Sequence, residues 1–210
     1  MVRQHGGLAA DENAQRVVDA VGAELLRASG IDKSGYRFDF HLLADTQTIN
    51  AFALPGGQCF ITAALFNKLK SKGQLAGVLG HEIGHVIARH GAQRMAKQSL
   101  TQGLVSSVLI GANGDQSTAR AAQMIGSMVN MKYGREDELE SDELGVKMMA
   151  QARYNPLSML AVMKVLKAAS GGSRQPEFLS THPDPGNRAE RIEQIVAALF
   201  PEGVPPELRP

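Results

Sequence analysis

The feature that most constrains this 210-residue chain is His81-Glu82-Ile83-Gly84-His85, set in an apolar stretch without proline. An α-helix turns by about 100° per residue, so positions i and i+4 lie above one another on one face. A helix therefore aims the imidazoles of His81 and His85 at one point, as two ligands of a metal ion would be. Glu82, one position round, can reach a water on that metal and act as general base. The pattern predicts a helix from Gln74 to about Met95, with Gly73 a plausible start. Leu75, Leu79, Ile83, Val86 and Ile87 fall opposite the histidines, as on an amphipathic core helix. Gly80 and Gly84 share a face without side chains, where a second helix can come close.

A catalytic zinc takes three protein ligands and leaves a position open. A pattern with a third histidine six residues after the second fails here, because Gly91 occupies that place. On a continuous helix His90 points about 140° away from His85 and does not join the metal. Carboxylates are the alternative source. The run Arg135-Glu136-Asp137-Glu138-Leu139-Glu140-Ser141-Asp142-Glu143 puts Glu138 and Asp142 on one helical face. One of them can bind the metal while the other accepts the outer N–H of a ligand histidine. Spacing alone leaves Glu140 and Glu143 open, and also an acidic helix N-terminus stabilised by the dipole.

Net charge is +1, from 22 basic and 21 acidic residues, which argues against a nucleic-acid partner. With no tryptophan and 5% aromatic residues there is little for bases to stack on. The single cysteine, Cys59, excludes an internal disulfide. It sits in a strand-like run and reads as a small hydrophobe. A deformylase-like amidase, with Cys59 as ligand in place of Glu138, is nevertheless a rival reading. No apolar run reaches the ~18–20 residues that span a bilayer; Leu104 to Ile110 comes nearest. The first residues contain no secretory apolar segment, so the expectation is either a cytosolic protein or a signal that is absent from this sequence.

Asp11 is placed to cap a helix that Gly30 ends, with Val17, Val18, Val21, Leu25 and Leu26 inside. Tyr36 to Leu42 alternates as a half-buried strand, in which His41 is structural. Thr48 to Thr62 reads as two strands about a turn at Pro55-Gly56-Gly57. The segment from Asn50 to Phe60 is a candidate edge for an extended substrate to pair with. A helical pattern continues to Ile110, breaks at Gly111 to Asp115, and resumes from Ala119 to Tyr133 with Met124, Ile125, Met128 and Met131; this hairpin can gate the site. The second acidic helix stops near Asn155-Pro156. Further helices follow at Pro156–Ala169 and Arg188–Leu199, joined by a flexible Gly/Ser-rich connection. A tail from Pro201 to Pro210 holds four prolines. It is expected to be disordered or draped on the surface.

Several of these stretches together resemble the zinc endopeptidases of peptidase family M forty-eight. They are Asn50-Ala51-Phe52 with Pro55-Gly56-Gly57, then His81 to His85 continuing as Ala88-Arg89-His90, then Arg135-x-x-Glu138-x-x-x-Asp142. Thr181-His182-Pro183 with Arg188 is a shorter fourth. Ser141 stands where family members often have alanine. The resemblance implies an α+β, mostly α-helical, zincin-like fold of the gluzincin type, with a small sheet whose edge strand borders the active site. A single metallopeptidase domain would span 1–200, with 201–210 a tail. One Zn²⁺ per chain would be held by His81, His85 and Glu138, with Asp142 hydrogen-bonded behind a ligand. Glu82 would be the general base. His182 and Arg188 would return to the site to assist an oxyanion or contact substrate, or His182 would close the zinc position in a resting state. Asn50 would lie near the scissile carbonyl, with Ala51, Phe52, Gly56 and Gly57 along the substrate. The implied partner is a polypeptide, misfolded or unassembled, in a bacterial periplasm or envelope, in solution or peripherally on a membrane. A non-catalytic zinc-containing chaperone or binding module is the rival from another class.

Overall fold

The computed structural model describes residues 2–33, 35–111, 134–170, 176–183 and 186–210. Helix α1 runs Glu12–Ser29. The Asp11 carboxylate accepts from the Ala14 N–H at 3.0 Å, and Gly30 closes the helix in the left-handed conformation at φ 70°. Val18, Val21, Leu25 and Leu26 are buried. The Ala119–Tyr133 helix, its methionines, the break after Gly111 and the Gly/Ser-rich connection at 171–175 lie outside the described residues.

Three strands form one sheet: β1 (Asp39–Leu43), β2 (Ala51–Ala53) and β3 (Gln58–Thr62). The order is β1-β3-β2, with β1 parallel and β2 antiparallel to β3. The first strand starts at Asp39 rather than Tyr36, because Asp39 pairs with Gln58, the first residue of β3. Residues before Asp39 have no partner strand to pair with. Only Ala51–Ala53 of the expected substrate edge is an edge; Gln58, Cys59 and Phe60 lie on the central strand. The outer side of β1 is covered by the N-terminal segment, where Ala9 N–H donates to Leu42 and Ala44 N–H to Gly7. Among the described residues β2 thus carries the open edge.

Helix α2 (Ala63–Phe66) leads from the sheet to α3 (Lys72–Ile87), whose first turn is capped by the Ser71 hydroxyl accepting from Gln74 N–H at 3.2 Å. Every residue from Gly73 to Val86 is buried. The amphipathic expectation is therefore corrected: α3 is packed on all sides, its polar face by other elements of the protein. The expected run to Met95 is also interrupted. Arg89 takes φ 61°, a left-handed conformation, and a separate helix α4 begins there (His90–Gly111). The left-handed position is an arginine rather than a glycine, Gly91 following only inside α4, so packing must hold the turn.

Helices α5 (Arg135–Gln151), α6 (Ser158–Ala169), α7 (Glu177–Thr181) and α8 (Arg188–Leu199) complete the body. The result is an α+β, mostly helical fold with α3 at its centre. α5 lies directly on α3 through small residues. A Cβ at Gly84 would sit 2.9 Å from the Ser141 carbonyl oxygen, and one at Gly80 3.2 Å from Gly145 Cα. The tail returns to the start of α3, where Pro210 O accepts from Gly73 N–H at 2.8 Å. Arg209 stacks over Tyr154 at 4.0 Å and pairs with Glu24 at 2.8 Å.

Backbone atoms on both sides of this contact cannot yield as a side chain would. Gly84→Ala should cost about 1–3 kcal/mol of stability and lower the thermal midpoint by several degrees. An unchanged melt would contradict the close helix contact.

Candidate metal centre

Helix α3 supplies His81 and His85, one turn of α5 supplies Glu138, and the loop after α7 supplies His182. Their ligand atoms all lie within 4.8 Å of one another, in full burial. His81 Nε2 is 3.0 Å from His85 Nε2, 3.4 Å from Glu138 Oε2 and 3.3 Å from His182 Nδ1. Glu138 Oε1 is 3.4 Å from His85 Nε2 and 3.1 Å from His182 Nδ1. A tetrahedron with bonds of about 2.0–2.1 Å, the zinc–nitrogen length, has edges of about 3.3–3.4 Å. The separations of 3.0–3.4 Å are close to that edge length, with Glu138 offering Oε2 towards His81 and Oε1 towards His85 and His182.

The protons point the same way. His81 Nδ1 lies 2.9 Å from Asp142 Oδ1, a bond in which only the imidazole can donate to an ionised carboxylate. With that proton held on Nδ1, it is Nε2 that faces the centre and that a metal would take. Glu138 is wholly buried, and its Oε2 accepts no aligned hydrogen bond, although Arg188 Nη1 stands 3.1 Å away. Three imidazoles and a carboxylate that converge in a buried interior favour a positive charge among them. The donor set therefore fits a metal ion.

Electrostatics agree. Burial works against an imidazolium at His81, yet the Asp142 and Glu138 carboxylates outweigh it and lift its pKa to about 9. Positive charge is favoured at this spot. Burial lowers His85 well below its usual value. Glu138 is held below the ordinary carboxylate range against its burial, by His182, His81 and His85 around it. Asp142 is held down, again against burial, by the charge and hydrogen bonds of Arg188. Glu82 goes the other way: burial raises its pKa, with His182 and His81 opposing. A carboxyl group with a raised pKa suits proton transfer near neutrality.

The other expected residues are placed as follows. Arg188 grips Asp142 with two bonds of 2.7 Å, one from Nε and one from Nη2. It is buried behind His81, between Asp142 and Glu138. Glu82 Oε1 lies 3.6 Å from His182 Nε2. Asn50 is buried just before β2, its backbone tied to Thr62 and its side-chain Oδ1 without a hydrogen-bond partner among the described residues. Ala51 and Phe52 lie on β2, and Phe52 stacks on Phe60. Gly56 and Gly57 form the turn. A narrow cleft joins this region to the metal helix, lined by Ala53, Leu54, Pro55, His85, Val86 and Arg89. Cys59 is buried in β3 and is not a member of the donor cluster. His41 bonds Gln58 at 2.7 Å, apart from the site.

One residue that the sequence gave no role belongs here. His90 is off the metal but 3.0 Å from His85, Nδ1 to Nδ1. The break at Arg89 brings it there, and no residue type in the sequence announces that break.

The profile of Peptidase family M48 matches residues 12–196. The Beta-barrel assembly-enhancing protease of Escherichia coli (strain K12) is 31% identical over 197 residues, covering 85% of this chain and 39% of that protein. The Mitochondrial metalloendopeptidase OMA1 of Schizosaccharomyces pombe is 30% identical over 178 residues, 84% of this chain and 51% of that protein. The human Metalloendopeptidase OMA1, mitochondrial, is 32% identical over 165 residues, 73% of this chain and 32% of that protein. The chain thus spans between about a third and a half of the length of these relatives. No helix among the described residues is long and apolar enough to cross a membrane.

Removing the Arg188 guanidinium leaves two buried carboxylates short of a cation. Arg188→Met should destabilise the protein by about 3–5 kcal/mol, the usual cost of breaking a buried pair from one side. Urea unfolding measures it, and a midpoint unmoved by the substitution would contradict the pairing with Asp142.

Proposed function

The chain belongs to peptidase family M48, and we propose that it is a zinc-dependent metalloendopeptidase that hydrolyses peptide bonds in misfolded or unassembled proteins. The observation that carries this reading is the meeting of His81, His85 and Glu138 at one buried point with Glu82 beside it. These three residues would hold one Zn²⁺. When bound, zinc supplies a Lewis acid and lowers the pKa of a coordinated water.

The protein's own groups do the rest. An extended substrate adds to the open edge of β2, exchanging backbone hydrogen bonds, beside Pro55 and His85. Ala51 and Phe52 would run along it, with Gly56 and Gly57 shaping the turn at its end. Glu82 takes the proton of the attacking water and passes it to the leaving amine. The Asn50 amide and His182 are the groups available to donate to the oxyanion, a contribution of about 3–4 kcal/mol per donor. Asp142 keeps the His81 ring in the tautomer that faces the metal, and Arg188 holds Asp142 in place.

A second reading has a specific observation behind it. His182 Nδ1 stands among the donors, 3.1 Å from Glu138 and 3.3 Å from His81. With four protein ligands the site is closed, as in a latent protease or a non-catalytic zinc-containing binding module. We favour latency, because Glu82 stands beside this centre and a purely structural site has no use for a general base. The relative named for enhancing β-barrel assembly supports a bacterial envelope location, in the periplasm or peripherally on a membrane, with polypeptide as the partner.

Three substitutions test these roles. Glu82→Gln should keep one zinc per chain while casein cleavage falls by about 10²–10⁴-fold. His81→Ala should lose both metal and cleavage. Normal cleavage by Glu82→Gln would remove the general base. His182→Ala should retain zinc and cleave a short peptide faster than the unsubstituted chain. Slower cleavage with zinc retained would assign His182 to the oxyanion rather than to closure.

A further inference from the structure

We propose that His90 is a positioning residue for the ligand His85, acting as the middle of a chain His85–His90–Glu140. The inference rests on the metal-centre reading above and adds a residue to it. His85 Nδ1 is 3.0 Å from His90 Nδ1, and His90 Nε2 is 3.2 Å from Glu140 Oε2. His90 is buried, while the Glu140 side chain is largely exposed. Asp137 Oδ1 lies further from the same Nε2, at 3.8 Å.

A metal on His85 Nε2 needs that atom free of a proton, and this fixes the arrangement. Glu140 as a carboxylate can only accept, so the neutral His90 carries its proton on Nε2 and donates it outward. His90 Nδ1 is then an acceptor, and the short contact requires His85 to donate from Nδ1. That leaves His85 Nε2 as a lone pair, facing the lone pair of His81 Nε2 across 3.0 Å. In the reverse arrangement a proton on His90 Nδ1 would force the His85 proton onto Nε2, into the metal position. The Ser141 hydroxyl also approaches His90 Nδ1, at the longer distance of 3.4 Å.

The two ligand histidines are thus oriented by different means. His81 donates directly to a carboxylate that Arg188 anchors. His85 points at the turn after α3, where the backbone offers no carboxylate, and reaches Glu140 on α5 only through an imidazole. The left-handed Arg89 makes this possible by ending α3 and turning His90 back onto its last turn. On an uninterrupted helix His90 would face away.

The test compares His90→Leu, which has no acceptor, with His90→Gln, whose side-chain oxygen can take the same proton. Zinc affinity is read by competition with a chromophoric chelator, ligand geometry by the visible spectrum of the cobalt-substituted protein, and packing by the melting temperature of the metal-free chain. His90→Leu should bind zinc about 10–100-fold more weakly and change the cobalt bands. His90→Gln should recover most of that affinity, although both variants melt alike without metal. Glu140→Leu, at an exposed side chain that leaves the packing intact, should also weaken zinc. The inference is overturned if His90→Leu binds zinc as tightly as the unsubstituted chain, if the Leu and Gln variants weaken equally, or if Glu140→Leu has no effect. An unsubstituted chain that binds no zinc, or a His81→Ala variant that binds it unchanged, would instead sink the metal-centre reading itself.

Discussion

Three imidazoles and a carboxylate from separate parts of the chain converge inside a buried core, and the architecture depends on making that convergence tolerable. His81 and His85 lie one helical turn apart, and Glu138 is brought up to them by α5. Such an approach is open only to helices with almost nothing between them. Gly80 and Gly84 on α3 meet Gly145 and the Ser141 backbone on α5. Placing Glu138 and Asp142 one turn apart on that second helix sets one carboxylate among the imidazoles and the other behind His81.

Burying this much charge is expensive, on the order of several kcal/mol per ion even after relaxation. The protein answers with a layered balance. Arg188, from the last helix, binds Asp142 through two hydrogen bonds and stands beside Glu138. Chain segments far apart in sequence must therefore dock before the centre is electrically tolerable. Even the C-terminal tail takes part, since Pro210 bonds the first turn of α3 and Arg209 ties Tyr154 to Glu24.

Local rules carried much of this arrangement. The i, i+4 histidines, the Asp11 and Gly30 caps, the glycine pair on α3 and the span of α8 follow from spacing and residue type. Other features were beyond such rules because long-range packing decides them. Periodicity saw one apolar face of α3, whereas glycines and paired ligands bury the opposite face too. Arg89 breaks a helix at a residue type that does not ask for it. His90 stays out of the donor cluster, as its angle predicts, yet packs against His85, which helical spacing does not show. Tyr36 to Phe38 alternates like a strand but outruns the start of its partner. Choosing Glu138 among four nearby acidic residues needed the family resemblance, since helical spacing alone left them open.

The sheet has a similar division between its two sides. The N-terminal segment covers β1, leaving the short β2 as the open edge among the described residues, next to the cleft that reaches His85. All of this matters for chemistry only if the converging donors hold an ion. X-ray absorption at the zinc edge of the purified chain tests that most directly. One zinc per chain is expected, with nitrogen and oxygen neighbours alone at about 2.0–2.2 Å. A sulfur neighbour at about 2.3 Å, which only Cys59 or a methionine could supply, or a chain that holds no metal, would contradict it.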